Sequence, residues 1–361
     1  MKINKISIEN YRNIEAVCAE FENVNIIWGE NAQGKTNLLE AIYLFTGAKS
    51  FRGVKDSQLV RFGESKSRLS IEFESSSRMQ NAELVIENRR KATLNGIAKK
   101  STAQLGDEIK AVIFSPVHLS MIKDGPIERR KFIDAALCQI KSNYRNLLKD
   151  YNKALMQRNT LLKNAKYDNS FDSSLYIWNI NLANIGAKII YQRLKYLEAI
   201  NPYVKDIFSG ISGGAEEIEL KYSGADKYKA DITDIEAKLL TAIENSKTQD
   251  FVNKTTTKGP HRDDIDILIN GISAKTFGSQ GQQRSCVLAI KLAEASLLKE
   301  MTGIEPIALL DDVMSELDEK RQDYILNHIK DWQVFITCCE KETILKLKQG
   351  KTFHIDKGKI I

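Results

Sequence analysis

The segment Gly29-Glu30-Asn31-Ala32-Gln33-Gly34-Lys35-Thr36 constrains the fold of this chain more than any other feature. It matches G-x-x-x-x-G-K-[ST], a pattern in which glycines let the backbone curl and point its N–H groups at phosphate oxygens. The apolar run Val24–Trp28 predicts a strand before the loop, and Asn37–Phe45 predicts a helix whose N-terminus faces the anion. Strand, loop and helix in this order predict an α/β core that binds a nucleotide.

The motif also assigns roles to two of its side chains. Lys35 is expected to reach the β- and γ-phosphates, and the Thr36 hydroxyl is expected to bind Mg²⁺. The backbone of residues 29–36 is expected to surround the phosphates.

Two carboxylates follow the apolar run Ile307–Leu310, which predicts a buried strand. A nucleotide hydrolase needs a carboxylate for its metal and a group that orients water. We expect Asp311 to bind Mg²⁺ through water and Asp312 to polarise the attacking water. Because aspartate is shorter than glutamate, we predict slow turnover, below about 10 per second.

A glycine- and glutamine-rich segment, Gly278–Arg284, lies at the start of a helix predicted over residues 282–301. A serine, a glycine and a helix N-terminus form an anion-binding end, although a serine N-cap with a glycine hinge explains the same residues structurally. A chain that already has one phosphate loop does not need a second γ-phosphate site. We therefore predict that this segment reaches the nucleotide held by another subunit.

Hydrophobic periodicity divides the chain into three parts. Strand patterns fill residues 1–120, the N-terminal part of an ATPase lobe. The middle part, residues 121–250, contains helical patterns at 126–163 and 174–207, separated by a turn at 168–173, and is assigned to a helical lobe. Residues 251–361 return to strand patterns and form the C-terminal part of the ATPase lobe, with the glutamine-rich segment and the acid pair.

Charge, cysteine content and hydrophobic runs indicate which partners and which classes of protein are compatible with this sequence. The 53 lysines and arginines exceed the 47 acidic residues by 6, a balance that permits an anionic partner without requiring one. The five cysteines form no CxxC pair, which argues against a zinc site or a disulfide framework. The sequence has neither a run of about 20 apolar residues nor a secretory signal, so we expect a cytoplasmic protein without membrane association.

Together these motifs resemble the ABC-type ATPases of the SMC-like group, and within it the RecF family of bacterial DNA repair proteins. The blocks that carry the narrower likeness are Gly29–Thr36, Ser115–Leu119, Gly125–Arg130, Ala154–Asn159, Gly259–Asp264 and Ser279–Gln283. They extend across the chain. The resemblance implies an α/β fold, a two-lobed ABC-type ATPase head with a P-loop core, mixed sheets and a helical hairpin lobe.

The resemblance also implies a head-to-tail homodimer that holds two ATP molecules, with Mg²⁺, between its subunits. Ser279, Gly281 and Gln282 would contact the partner's nucleotide, Ser315–Asp318 would cross the interface, and Arg12 would lie near the nucleotide. Similar proteins bind single-stranded or gapped DNA in recombinational repair and replication. They hydrolyse ATP weakly as a switch, work with RecR and RecO, help load RecA and are linked to the SOS response.

Two positions depart from the family pattern. Val117 and His118 stand where an acid is expected, which makes His118 a candidate substitute donor. Cys338 and Cys339 stand where threonines or a histidine are expected, and we predict that both cysteines are packing residues.

Other features are open to two interpretations. The basic runs Arg89–Lys91, Lys99–Lys100 and Arg129–Lys131 are candidate DNA contacts or solvated surface. His261 is either a structural turn residue or a neighbour of the nucleotide.

Two other functions share the phosphate-binding loop. One is the nucleotide-binding subunit of an ABC transporter, against which the Ser-Gln-Gly-Gln-Gln sequence and the helical hairpin argue. The other is a P-loop motor or small-molecule kinase, which has no element opposite the γ-phosphate and turns over as a monomer.

Overall fold

The computed structural model describes residues 1–164, 171–224, 228, 231–339 and 350–361. They form two compact units. The first unit contains Met1–Leu119, Asp206–Ala215 and Arg284–Ile361, and the second contains Ser120–Lys205 and Glu216–Gln283. Residues 251–283 thus lie in the second unit, and the division of the chain into lobes at residues 120 and 250 stays a prediction.

The described residues form the following strands and helices. The strands are β1 (Lys2–Tyr11), β2 (Ile14–Glu20), β3 (Val24–Trp28), β4 (Ser67–Ser75), β5 (Arg78–Ile86), β6 (Arg90–Leu94), β7 (Ile97–Ala98), β8 (Ala111–Phe114), β9 (Ile218–Tyr222), β10 (Ile265–Ile269), β11 (Ile272–Ser273), β12 (Ile307–Leu310), β13 (Val334–Cys338), β14 (Lys351–Asp356) and β15 (Lys359–Ile360). The helices are α1 (Lys35–Leu44), α2 (Ser120–Lys123), α3 (Pro126–Ile140), α4 (Tyr144–Asn164), α5 (Phe171–Ser212), α6 (Ile232–Asn245), α7 (Lys247–Asn253), α8 (Ala274–Phe277), α9 (Gln280–Thr302) and α10 (Glu319–His328). None of these helices combines the length and the apolar content that a membrane span requires.

One sheet of the first unit is antiparallel, in the order β2-β1-β4-β5-β6-β7. Its strands alternate buried and exposed residues, as a sheet with one face against a core requires. Strand β1 ends at Tyr11, because the chain reverses at Arg12 and Asn13 and pairs Tyr11 with Ile14. Arg12 has a φ of 56°, in the left-handed region that turns use.

The second sheet of the first unit has the order β15-β14-β3-β13-β12-β8, and its strands from β14 to β8 are parallel. All four residues of β12 and all five of β13 are buried, in agreement with their continuous apolar sequence. In a parallel sheet the carboxyl ends of the strands share one edge. That edge therefore receives the residues that follow β3, β12 and β13, namely Gly29, Asp311 and Cys339.

The second unit is mainly helical. The single helix predicted over 126–163 is wrong: α3 ends at Ile140 and α4 begins at Tyr144. Lys141 has an extended backbone, and the carbonyl of Asn143 accepts from the N–H groups that open α4. Serine and asparagine favour such breaks because they compete for backbone hydrogen bonds. Helix α5 includes the predicted segment 174–207, and residues 168–170 of the predicted turn lie outside the described residues.

A three-stranded antiparallel sheet, β11-β10-β9, completes the second unit. Asn270-Gly271, a sequence typical of two-residue hairpin turns, joins β10 to β11, and Leu268 pairs with Ser273 and Ile269 with Ile272. Asn270 and Gly271 have φ angles of 49° and 78°, the left-handed pair that a two-residue hairpin turn needs.

Candidate functional site

The phosphate-binding loop lies between β3 and α1, and its backbone has the conformation that glycines permit. Gly29, Ala32 and Gly34 have positive φ angles of 152°, 65° and 120°. A Cβ atom on Gly29 would lie 2.3 Å from the carbonyl oxygen of Ile355, so a side chain does not fit there. In the part of the chain that the structure describes, the N–H groups of residues 30–34 have no acceptor. The loop therefore presents several free donors, as an anion site requires.

Two neighbouring turns hold this loop from outside. In the β1–β2 turn, the Asn13 amide donates to the carbonyl of Gln33 at 3.0 Å and accepts from Asn37 Nδ2 at 2.7 Å. In the β14–β15 turn, the N–H of Lys357 donates to Gln33 Oε1 at 2.7 Å and that of Gly358 to the Gln33 carbonyl at 2.8 Å. These bonds use carbonyl and side-chain oxygens of the loop and leave its N–H groups unused.

Lys35 lies against the inside of the loop and is only 4% exposed. Its Nζ donates to the carbonyls of Gly29 at 2.7 Å and Glu30 at 3.0 Å, and to Cys339 Sγ at 3.3 Å. All three of these acceptors are neutral, so none of them offsets the positive charge of the ammonium.

Asp311 and Thr36, the two predicted metal-binding residues, are brought together by the sheet. Thr36 Oγ1 donates to Asp311 Oδ1 at 2.7 Å, and the hydroxyls of Thr337 and Ser115 donate to the same carboxylate at 3.2 and 3.3 Å. Burial raises the pKa of Asp311 and the charge of Asp312 adds to the rise, while the Thr36 hydroxyl opposes it. A cation at this place would stabilise the ionised carboxylate.

Asp312 follows at the edge of the sheet and is half-buried. Its φ of 50° turns the chain sharply after β12, and its N–H donates to Thr337 Oγ1 at 2.8 Å. Its Oδ1 lies 4.0 Å from Cys339 Sγ. This backbone turn separates the two carboxylates, so Asp311 faces Thr36 while Asp312 faces the end of β13.

Arg12 lies in the β1–β2 turn, beside α1. Its Nε and Nη2 donate to the carboxylate of Glu40 at 3.0 and 2.9 Å, and Glu40 also accepts from the hydroxyls of Tyr11 and Ser50. The guanidinium thus anchors the turn to the helix that follows the loop. A direct contact between Arg12 and a nucleotide stays a prediction.

Ser279 and Gln282 form a capping box at the start of α9, in the second unit. Ser279 Oγ accepts from the N–H of Gln282 at 3.2 Å, and Gln282 Oε1 accepts from the N–H of Ser279 at 2.7 Å. The Gln282 amide also donates to Glu216. Ser279 is exposed and Gly281 is half-buried. The serine cap is therefore present, and contacts from Ser279, Gly281 and Gln282 to a nucleotide stay predictions.

The segment Ser315–Asp318 follows the acid pair and is fixed within the first unit. Arg284 Nη1 donates to the carbonyl of Glu316 at 3.1 Å, and Arg321 Nε donates to Ser285 Oγ at 3.0 Å. Asp318 caps α10 by accepting from the N–H of Arg321. These bonds connect the segment to the first turns of α9.

The Gly259–Asp264 motif is part of an internal network of the second unit. Arg129 forms a bidentate ion pair with Asp264, at 2.7 and 2.8 Å, and Arg193 Nη1 donates to the carbonyl of Pro260 at 2.7 Å. Arg193 also pairs with Asp134 through two bonds. These paired charges fix a loop that carries few hydrophobic side chains.

His261 belongs to the same network as a structural turn residue. Its Nδ1 lies 2.7 Å from the hydroxyl of Tyr151 and its Nε2 lies 3.1 Å from the carbonyl of Thr256. Because a carbonyl only accepts, Nε2 carries the proton and Nδ1 accepts. Burial lowers the pKa of His261 to about 4.

Arg158, in the family block Ala154–Asn159, is fully buried. Its Nη1 donates to Asp250 Oδ2 at 2.7 Å and to Thr256 Oγ1 at 2.8 Å, and its Nε donates to Asn179 Oδ1 at 2.8 Å. Only its Nη2 lacks an acceptor among the described residues. The block therefore forms a buried structural ion pair.

The structure gives the surroundings of both departures from the family pattern. His118 Nδ1 accepts from the N–H of Ser115 at 3.2 Å, so Nε2 carries the proton of the neutral ring and the role of substitute donor stays a prediction; burial, and then the charge of Lys291, lower its pKa. Cys338 is buried as predicted, whereas the packing role predicted for Cys339 is wrong, since Cys339 is exposed and contacts polar groups of the loop.

The basic runs contain residues with internal partners. Arg90 bonds Asp56 and the carbonyl of Ala48, and Arg130 bonds the carbonyl of Asp263. The Arg90–Asp56 and Arg129–Asp264 ion pairs each neutralise one arginine of a run, and DNA contact by the basic runs stays a prediction.

Four residues next to the loop were not predicted from the sequence: Asn13, Asn37, Arg52 and Lys357. Arg52 Nη1 donates to Asn37 Oδ1 at 2.9 Å, and Asn37 bonds Asn13. Their contacts join positions up to 324 residues apart, as between Gln33 and Lys357. The only local signal is that Asn13 occupies a tight turn and Asn37 follows the motif directly.

Comparison with known proteins agrees with this geometry. Residues 2–360 match the family described as "RecF/RecN/SMC N terminal domain". The chain is 39% identical to the DNA replication and repair protein RecF of Agathobacter rectalis over 100% of this chain and 99% of that protein. It is also 39% identical to RecF of Clostridium perfringens, with the same coverage.

Solved structures extend the likeness to three dimensions. A structure of the recombination mediator protein RecF with ATP in the RecFOR pathway has a TM-score of 0.92 and 38% identity, covering 100% of this chain and 97% of that one. An Smc head domain from Pyrococcus yayanosii, at 14% identity and a TM-score of 0.56 over 100% and 96% of the two chains, shares the fold.

The predicted fold class, an ATPase head of mixed sheets and helices, is thus confirmed. The full-length relatives and the family match extend from the first strand to the last. The chain belongs to the RecF family of DNA replication and repair proteins.

Proposed function

We propose that this chain is an ATP-dependent DNA-binding protein in which ATP, bound with Mg²⁺, controls dimerisation on DNA. The observation that carries this proposal is the row of N–H donors at residues 30–34, which have no acceptor among the described residues, beside the buried Lys35 ammonium. A row of N–H donors at a helix N-terminus fits a polyphosphate. The similarity to a RecF structure that contains ATP supports the same ligand.

The residues present fit a nucleotide and its metal. The loop N–H groups and Lys35 would hold the phosphates, and Thr36 and Asp311 would hold Mg²⁺. The described residues contain no cluster of three or more histidine, cysteine or acidic side chains able to hold a metal. This suits Mg²⁺, which binds through one or two protein oxygens, phosphates and water. The nucleotide supplies the phosphoryl group that is transferred to water.

In this proposal Asp312 polarises the attacking water. It lies at the same sheet edge as Asp311, and its carboxylate faces Cys339 at 4.0 Å. Its short side chain gives it a limited reach toward the loop, so we expect turnover below about 10 per second. The protein is in this proposal a weak, DNA-dependent ATPase that uses hydrolysis to time its release.

Ser279 is proposed to act on a second copy of the chain. Its Oγ already accepts a bond from Gln282, so its hydroxyl proton remains to donate outward from an exposed helix N-terminus. With Gly281 and Gln282 it would cap the nucleotide of the partner in a head-to-tail homodimer.

Family membership supports a proposal for the cellular role. We propose binding to single-stranded or gapped DNA in the cytoplasm, cooperation with RecR and RecO, assistance in loading RecA and a link to the SOS response. The fluorescence anisotropy of labelled gapped, single-stranded and duplex DNA, each with ATP, ADP or no nucleotide, tests this. Binding that ATP does not strengthen on any of the three DNAs would contradict it.

Analytical ultracentrifugation tests the switch itself. We expect dimers with ATP and Mg²⁺ and monomers with ADP. Ser279→Arg should bind ATP but stay monomeric, because the long cation blocks the cap. Asp312→Asn should stay dimeric after ATP is added, because hydrolysis stops. A mass that does not depend on the nucleotide would refute the proposal.

A further inference from the structure

The acceptors around Lys35 are unequal in strength. Its three ammonium hydrogens are directed at the carbonyls of Gly29 and Glu30, at 2.7 and 3.0 Å, and at Cys339 Sγ, at 3.3 Å. Backbone carbonyls are strong acceptors, whereas a thiol sulfur is a weak one. An incoming phosphate oxygen, which is charged, therefore replaces the sulfur more readily than either carbonyl.

We propose that Cys339 is a positioning residue of the nucleotide site: it holds Lys35 toward the loop until a phosphate oxygen takes its place. The inference rests on the proposed nucleotide binding and adds a role that the sequence pattern did not indicate. A weak acceptor orients the lysine without competing with the phosphate. A stronger acceptor would retain its hydrogen bond to the lysine and compete with the phosphate.

Strand register explains how Cys339 reaches this position. β13 is parallel to β3, with Cys338 beside Trp28, so Cys339 and Gly29 follow their strands at the same edge of the sheet. Side chains alternate along a strand, which places Cys338 in the core and Cys339 outside it. The thiol then lies 3.1 Å from Asn31 Oδ1 and 4.0 Å from Asp312 Oδ1. It therefore lies between the phosphate-binding loop and the second acid.

Substitutions of Cys339 test directly whether its side chain competes with a phosphate oxygen for Lys35. Cys339→Asp places a charged acceptor beside Lys35, and we expect it to weaken ATP binding at least tenfold, measured by equilibrium dialysis with the full chain. Cys339→Ser, a small neutral acceptor, should stay within about threefold of the parent in ATP affinity. Thermal unfolding without nucleotide should be similar for both variants, since the residue is exposed. Equal affinities for the serine and aspartate variants would overturn the proposal.

Alkylation by iodoacetamide, followed by mass spectrometry of peptides, gives a readout independent of activity. Saturating ATP with Mg²⁺ should slow alkylation of Cys339 at least tenfold. Cys18 is an internal control, because it is also exposed but lies on β2, and its rate should stay within twofold. The measurement is made in the Ser279→Arg variant, so that dimer formation does not cover the thiol.

Failure of the positioning role of Cys339 can be distinguished from failure of the proposed nucleotide binding. If equilibrium dialysis shows bound ATP while Cys339 is alkylated at its original rate, the positioning role is wrong and nucleotide binding stands. If no ATP binds to the parent chain, the proposed function and this inference are both wrong.

Discussion

Lys35 of the first unit and Arg158 of the second are both buried cations, but their acceptors differ. Arg158 faces the carboxylate of Asp250 and the neutral oxygens of two further side chains. Lys35 faces two carbonyls and a thiol, and within the described part of the chain none of its bonded acceptors is a carboxylate. A buried charge that has its counter-ion within the protein stabilises the fold, whereas one without a counter-ion is prepared for a charged ligand.

The carboxylates of the two units show the same contrast. Asp250 is fully buried and accepts from Arg158 and from both the N–H and the hydroxyl of Thr257. Asp311 is also buried, but its side-chain donors among the described residues are all neutral hydroxyls, and burial raises its pKa. Four substitutions test whether this difference separates structural from ligand-binding charge.

Arg158→Ala is expected to have the largest effect. It leaves Asp250 as an uncompensated buried charge, which costs about 3–5 kcal/mol of unfolding free energy. Urea denaturation of the full chain measures the loss. The double variant Arg158→Ala with Asp250→Ala is the control and should recover part of it, because the unpaired carboxylate is removed. A loss below about 1 kcal/mol would mean that the pair is not structural.

Lys35→Ala is expected to affect the ligand and not the fold. The loss of the only ammonium in the loop should weaken ATP binding at least 100-fold, or about 2.7 kcal/mol. Its unfolding free energy should change much less than that of Arg158→Ala, since no carboxylate loses a partner. Equilibrium dialysis and urea denaturation of the same preparation give both values. A destabilisation as large as that of Arg158→Ala would mean that Lys35, like Arg158, is a structural charge.

His261→Gln is expected to change the pH dependence of stability. The pKa of His261 is about 4 in the folded protein and about 6.5 when unfolded, so the unfolded chain binds more protons between these values. Stability is therefore fully present above pH 6.5 and falls as pH drops toward 4, by at most about 1.4 kcal/mol per pH unit from this group. Glutamine removes this contribution. Parallel pH curves for parent and variant would show that His261 is accessible to solvent.

Asp311→Asn is expected to have the smallest effect on stability, with the opposite sign to Arg158→Ala. A carboxylate whose pKa is raised by burial favours folding when protonated and disfavours it as pH rises through that pKa. The neutral amide should therefore stabilise the nucleotide-free protein at pH 7 by about 1 kcal/mol. It should also weaken the effect of Mg²⁺ on ATP affinity. Thermal unfolding and binding with and without Mg²⁺ check both statements.

Local sequence determined much of this site. The phosphate-binding loop, the strand before it and the helix after it form one continuous segment, so short-range rules for glycine and hydrophobic runs were sufficient. The same holds for β12 with Asp311 and for the serine cap at Ser279, because each feature depends on neighbours within a few residues. These elements were predictable because their hydrogen bonds are local.

Only the tertiary structure determined which residues surround the loop and how its charges are balanced. The parallel register of β3, β12 and β13 brings Gly29, Asp311 and Cys339 to one sheet edge, although more than 300 residues separate the first from the last. The sequence likewise failed to separate Arg158, which has a carboxylate partner, from Lys35, which has none among the residues that the structure describes. Composition lists the charged groups of a chain, but the free energy of each depends on the acceptors and burial that folding gives it.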